Sequence, residues 1–142
     1  MSAPVRIGNA SGFDGDRLSA MREMLEGGEL DYLTCDYLAE LTMLILGRDR
    51  MKDPSTGFAK TFIRQMQDCM GLAQAKGVRI VTNAGGLNPA GCAVKLREFT
   101  AEQGLDLSIA QGWPKNPKRL LTRGCWVPCW RWWSPRSGEI RK

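Results

Sequence analysis

Apolar residues along the first 110 positions follow two alternating rhythms, and glycine, asparagine or aspartate marks most of the changes between them. Pro4 to Gly8 is a short apolar run followed by a Gly/Asn/Ser/Asp stretch, which predicts a buried strand and then a loop. Leu18, Met21, Met24 and Leu25 fall on one helical face. Asp16 stands where a side chain can accept bonds from the first turn of that helix, and Gly27-Gly28 stands where it should stop. Leu30 to Thr34 predicts a second strand. Asp36 is then a candidate cap for a helix over Tyr37 to Leu46, which is apolar nearly all round, the pattern of a helix buried on more than one side.

Asp53-Pro54 reads as the next helix start, a cap followed by a proline whose missing N–H costs nothing there. Phe58, Phe62, Met66, Cys69 and Ala73 recur at helical spacing, with Ile63 and Met70 beside them and Lys60, Arg64, Gln67 and Asp68 opposite. Gly77 ends the helix, and Val78 to Thr82 begins a third strand. Asn88-Pro89 repeats the cap-and-proline start; Cys92, Leu96 and Phe99 line that helix, Gly104 ends it, and Leu105 to Ala110 predicts a fourth strand. Strands alternating with helices imply an α/β fold: an incomplete, mainly parallel sheet of about four strands with crossover helices.

Composition places the chain without naming its work. Its 142 residues are 43% apolar and 25% charged, which suits one globular domain and excludes a wholly disordered chain. No run approaches 18 apolar residues, so no transmembrane segment is expected, and MSAPVRIGNASG lacks the layout of a signal peptide. The expectation is a cytoplasmic protein whose five cysteines are thiols. The net charge of +5 divides unevenly. Residues 1–110 hold 12 Lys and Arg against 14 Asp and Glu, whereas residues 111–142 hold 8 against one and carry all five Trp. Two compositions meet near Ala110.

Candidate chemistry gathers after the strands, because ligands of open parallel sheets bind outside the strands' carboxyl ends. Two glycine-rich segments belong there, one holding Gly8, Asn9, Ser11 and Gly12, the other Asn83, Gly85, Gly86 and Asn88. Glycine admits close backbone approach, and a helix start offers unpaired amides, so a phosphate or carboxylate would suit either place. Plain turn chemistry uses the same residues, and neither segment is a dinucleotide fingerprint or a Walker loop. Asp14, Asp16 and Asp36 share the same predicted edge and offer acid/base or metal chemistry, although capping accounts for Asp16 and Asp36. Cys35 reads as a small buried thiol and Cys69 and Cys92 as core. With no His, a Ser/His/Asp triad, a Cys/His pair and a His-ligated metal are excluded; no metal site is assigned and no cofactor is identified.

Two stretches carry a resemblance. VRIGNASGFDGDRLSAMREMLEGGELDYLTCDYLAELTMLILGRDRMKDPSTGFAKTF and GVRIVTNAGGLNPAGCAVKLRE resemble the start of the acyclic terpene utilisation family over roughly residues 4–109, most distinctively in GNASGFDGD and NAGGLNPAG. The resemblance implies a place in bacterial catabolism of citronellol- and geraniol-type terpenes, alongside acyl-CoA carboxylation, with no settled reaction. It implies that both loops belong to one site, in which the backbone of Gly8, Gly12, Gly85 and Gly86 holds an acidic group of a CoA thioester or terpenoid acid. Asn9, Ser11, Asn83 and Asn88 would orient it, with Asp14 the best acid/base candidate. Arg48, Asp49 and Arg50 lie in the matching block and could reach that edge; a solvated or salt-bridged helix end is the blander account.

The family's N-terminal domain is longer than 110 residues, so residues 1–110 read as a truncated α/β domain. Uncovered apolar faces, including Tyr37 to Leu46, would then favour self-association, poor solubility or partial folding. Residues 111–142 have no helical or strand period, and proline recurs at 114, 117, 128 and 135. The favoured account is a disordered or out-of-frame tail. Alternatives are a Trp/Arg segment for nucleic acid or an anionic membrane, and a metal held by Cys125 and Cys129. On the favoured account nucleic acid is not a partner, and the isolated chain is inactive.

Overall fold

The computed structural model describes residues 4–111 and the strand at residues 124–127. Five strands form one sheet: β1 (Ile7–Asn9), β2 (Tyr32–Cys35), β3 (Arg79–Thr82), β4 (Ser108–Gln111) and β5 (Gly124–Val127), in the order β1-β2-β3-β5-β4. Every pairing is parallel, with Gly8 level with Leu33, Leu33 with Ile80, and Ile80 with Cys125. Helices α1 (Ala20–Gly27), α3 (Lys60–Lys76) and α4 (Pro89–Glu102) connect successive strands, and α2 (Glu40–Lys52) is inserted between β2 and α3. The α/β class with a parallel sheet is therefore as expected. The fifth strand is additional: GCWV sits between β3 and β4, inside a stretch whose sequence shows no period, because four residues are too few to display one. The nucleic-acid, membrane and metal readings of residues 111–142 otherwise lie outside the described residues.

Helix α1 packs on α3 and α3 on α4, so the three crossover helices line one face of the sheet. Right-handed connections that advance in one direction produce this arrangement. The core fills the space between them: Leu33, Cys35 and Ile80 from the strands, Met21 and Leu25 from α1, Phe62, Met66 and Met70 from α3, and Leu96 from α4. The opposite face is only half covered. Tyr32, Thr34, Arg79 and Val81 are partly buried there, Ile7 is exposed, and the Arg79 guanidinium lies over the Tyr32 ring. The strands thus alternate between a dry face and a wetter one.

Three helix boundaries differ from the sequence pattern, each for a local reason. Helix α1 begins at Ala20, so Asp16 is no helix cap; its carboxylate accepts the N–H groups of Gly12 and Arg17 and closes the preceding turn. Helix α2 begins at Glu40, because Tyr37 is fully buried against the Phe62 ring and its N–H donates to Asn83. Asp53 ends α2, and its side chain accepts from the Ser55 N–H and hydroxyl; α3 starts seven residues later. Nor is α2 buried all round: Thr42 and Leu46 are buried, whereas Leu41, Leu44 and Ile45 are exposed. At the other end of the chain pattern the match is close. Gly77 takes the left-handed conformation after α3, and Asn88 caps α4 with Pro89 in its first turn.

Among the described residues no helix is long and apolar enough to cross a membrane.

Candidate functional site

Parallel strands end on the same edge, so the loops after β1, β2 and β3 meet there. Backbone bonds stitch the first two: the Ala10 N–H donates to Thr34 and the Asp36 N–H to Ser11. The buried Ser11 hydroxyl donates to the carbonyls of Phe13 and Asp36, at 3.0 and 3.1 Å. Asn83 joins the third loop, accepting the Tyr37 N–H at 2.8 Å through Oδ1 and donating to the Asp36 carboxylate at 2.5 Å through Nδ2. Asp36 therefore lies between the two glycine-rich segments and holds them in register.

The two segments are built differently. The second is knit to the α2–α3 connection. Leu87 N–H donates to Gly57, Ala59 N–H to Ala84, and Asn88 Nδ2 to the carbonyls of Ser55 and Thr56. Asn88 Oδ1 meanwhile accepts the Gly91 N–H of α4. Gly86 has φ 50°, and a Cβ there would lie 2.5 Å from Leu46 Cδ1 and 2.9 Å from the Gly57 carbonyl. Gly85 is buried beside it. Of the GRDR run, Arg50 does reach this loop, donating to the Leu87 carbonyl, while Asp49 is paired with Lys60 at 2.6 Å.

The first segment is more open. Asn9, Ala10, Ser11 and Gly12 form one wall of a depression of about 350 Å³, and Asp16, Arg17, Ala20, Glu23 and Met24 complete it. Asn9 is held at both ends of its amide, donating to the Ser11 carbonyl and accepting from the Thr34 hydroxyl. Two amides bind the Asp16 carboxylate, and they hold it below the usual carboxylate range. Asp14, on the same loop, is not among the residues lining the depression; its Oδ1 is closed off from solvent and carries no hydrogen bond among the described residues. Gly8 serves packing: a Cβ there would meet Met24 Cε at 2.6 Å and Leu30 Cδ1 at 2.9 Å.

Asn9, Ser11 and Gly12 thus share one depression with Arg17 and Glu23, whereas Asn83, Gly85, Gly86 and Asn88 stand along the same edge without lining it. Cys35 is buried below, and burial pushes its thiol up to about 12, so it is no nucleophile at neutral pH. Sequence reasoning missed Gln65. It is fully buried on α3, receives the Tyr37 hydroxyl, and donates to the Arg17 and Leu18 carbonyls at the depression's rim. The signal was present as a polar residue at helical spacing among Phe62, Met66 and Cys69. Among the described residues no three His, Cys, Asp or Glu side chains are placed to hold a metal ion.

Comparison with known proteins gives one finding. Neither the curated proteins nor the solved structures contain a match to this chain. The family described as "Acyclic terpene utilisation family protein AtuA" matches residues 5–112, which include every strand-end loop described above. The chain belongs to the acyclic terpene utilisation family, and its role lies in the use of acyclic terpenes.

Proposed function

We propose that the depression after β1 binds the acidic end of an acyclic terpenoid, as the free acid or its CoA thioester, and that Asp14 exchanges a proton or hydrogen bond with it. The observation that carries this reading is Asp14 Oδ1, a buried carboxylate oxygen with no hydrogen bond among the described residues. Such an oxygen costs about 1–3 kcal/mol unless a donor reaches it, and a hydroxyl or protonated carboxyl of a ligand is such a donor. Asn9, Ser11 and Gly12 line the depression, Asp14 lies on the same loop behind that lining, and Arg17, paired with Glu23 at 2.7 Å, supplies a cation that a ligand acid would compete for. The Gly12 and Arg17 amides already hold the Asp16 carboxylate, so a ligand carboxylate would reach them only by displacing it. Gly8, Gly85 and Gly86 keep the edge compact, and Asn83 and Asn88 orient its second loop.

The test is a calorimetric titration of the whole chain with citronellic acid and with its CoA thioester, repeated on Asp14→Asn. Binding that weakens at least about tenfold in the variant, with an unchanged circular dichroism spectrum, is expected. Equal affinity in both proteins, or no binding to either ligand, overturns the reading. In a full-length relative, the same substitution should abolish growth on citronellol; normal growth would count equally against it.

A further inference from the structure

Helix α2 turns an apolar stripe to solvent. Leu41 is 67% exposed, Leu44 69%, Ile45 47% and Met51 89%. On a 3.6-residue period these four lie on one side with Arg48 among them, opposite the buried Thr42 and Leu46. Single exposed apolar side chains are ordinary, but four on one stripe of a thirteen-residue helix mark an interaction surface.

The charges of the same helix indicate what covers it. Glu40 stands at its start and Arg48 and Lys52 toward its end; none of the three makes an ion pair among the described residues, although Arg48 and Lys52 act on Asp49 at longer range. Asp49 and Arg50, by contrast, are engaged by Lys60 and the Leu87 carbonyl. A stripe that is acidic at one end and basic at the other complements its own reversed copy. A parallel copy would set Glu40 against Glu40 and Lys52 against Lys52.

We propose that α2 is the contact helix of a two-fold homodimer, packed antiparallel against α2 of a second copy. With the axis level with residue 46, Leu41 meets Met51 of the partner, and Glu40 meets Lys52. Leu44 meets Arg48, whose methylene stem covers apolar surface while its charge stays wet. Such a contact is isologous and closes on itself. One helix face is a small interface, so the dimer is weak and its population depends on protein concentration. This inference is independent of the ligand reading above.

The test is sedimentation velocity of the full chain over a wide concentration series, since a weak dimer shows itself by mass action. The average mass should rise from monomer to dimer, and Leu44→Glu, at an exposed position that leaves the core intact, should keep it monomeric. Glu40→Lys should weaken the dimer about three- to tenfold, and adding Lys52→Glu should restore it, since each pair contributes modestly. A monomeric mass throughout, or association that survives Leu44→Glu, overturns the proposal. So does a charge reversal without effect, which would mean that another surface or another arrangement makes the contact.

Discussion

Tyr37 and Gln65 show how single residues fix this edge. Both are fully buried, and the tyrosine hydroxyl donates to the amide, which in turn holds the carbonyls of Arg17 and Leu18. A polar bridge inside an apolar core is stabilising only while each member is satisfied. The thiols respond to the same dry core in a measurable way. Burial pushes Cys35 and Cys92 up to about 12, above the ordinary thiol value of 9.0. A folded-state value above the unfolded one means that their contribution is complete below pH 9 and is lost as pH rises toward 12. Unfolding in guanidinium at pH 8 and at pH 10 should therefore show a lower midpoint at the higher pH. Alanine at both positions should flatten that slope; a slope that stays the same places the titration elsewhere.

At the scale of elements, the pattern of apolar positions identified all four described helices and strands β1 to β4, but misplaced several ends. Periodicity reports which face is buried, whereas a boundary depends on the partner each cap finds. Asn88 found the expected one, so the start of α4 was legible. Asp16, Asp36 and Asp53 satisfied loop amides or a neighbouring side chain, an outcome set by tertiary placement. Asn88 has a second duty that no sequence pattern announces, since its Nδ2 ties the α2–α3 connection at Ser55 and Thr56. Asn88→Ala should cost about 2 kcal/mol in urea unfolding, combining a lost cap with two unpaired carbonyls. Asn88→Asp, which keeps the cap and loses the bridge, should recover only part of that. A loss below about 0.5 kcal/mol for alanine would show that solvent replaces both bonds without penalty.

At the scale of the whole molecule, the parallel sheet and the meeting of both glycine-rich segments at one edge were legible, because alternation of strands and helices leaves few topologies. The order of the strands was not, since it depends on β5. That strand stands between β3 and β4, and among the described residues β4 pairs with no other strand. This bears directly on residues 111–142. If they are text without structural purpose, removing them leaves the protection of β4 amides as it was. If GCWV completes the sheet, a chain ending at Gln111 loses the ladder that β4 makes among the described residues, although Ile109 keeps its packing against the core. Hydrogen exchange on the full chain and on residues 1–111 separates the two. The expected result is fast exchange from Ser108 to Gln111 in the shorter chain, with β2 still protected between β1 and β3. Unchanged exchange at β4 would instead favour the compositional break near Ala110 as the true edge of the folded unit.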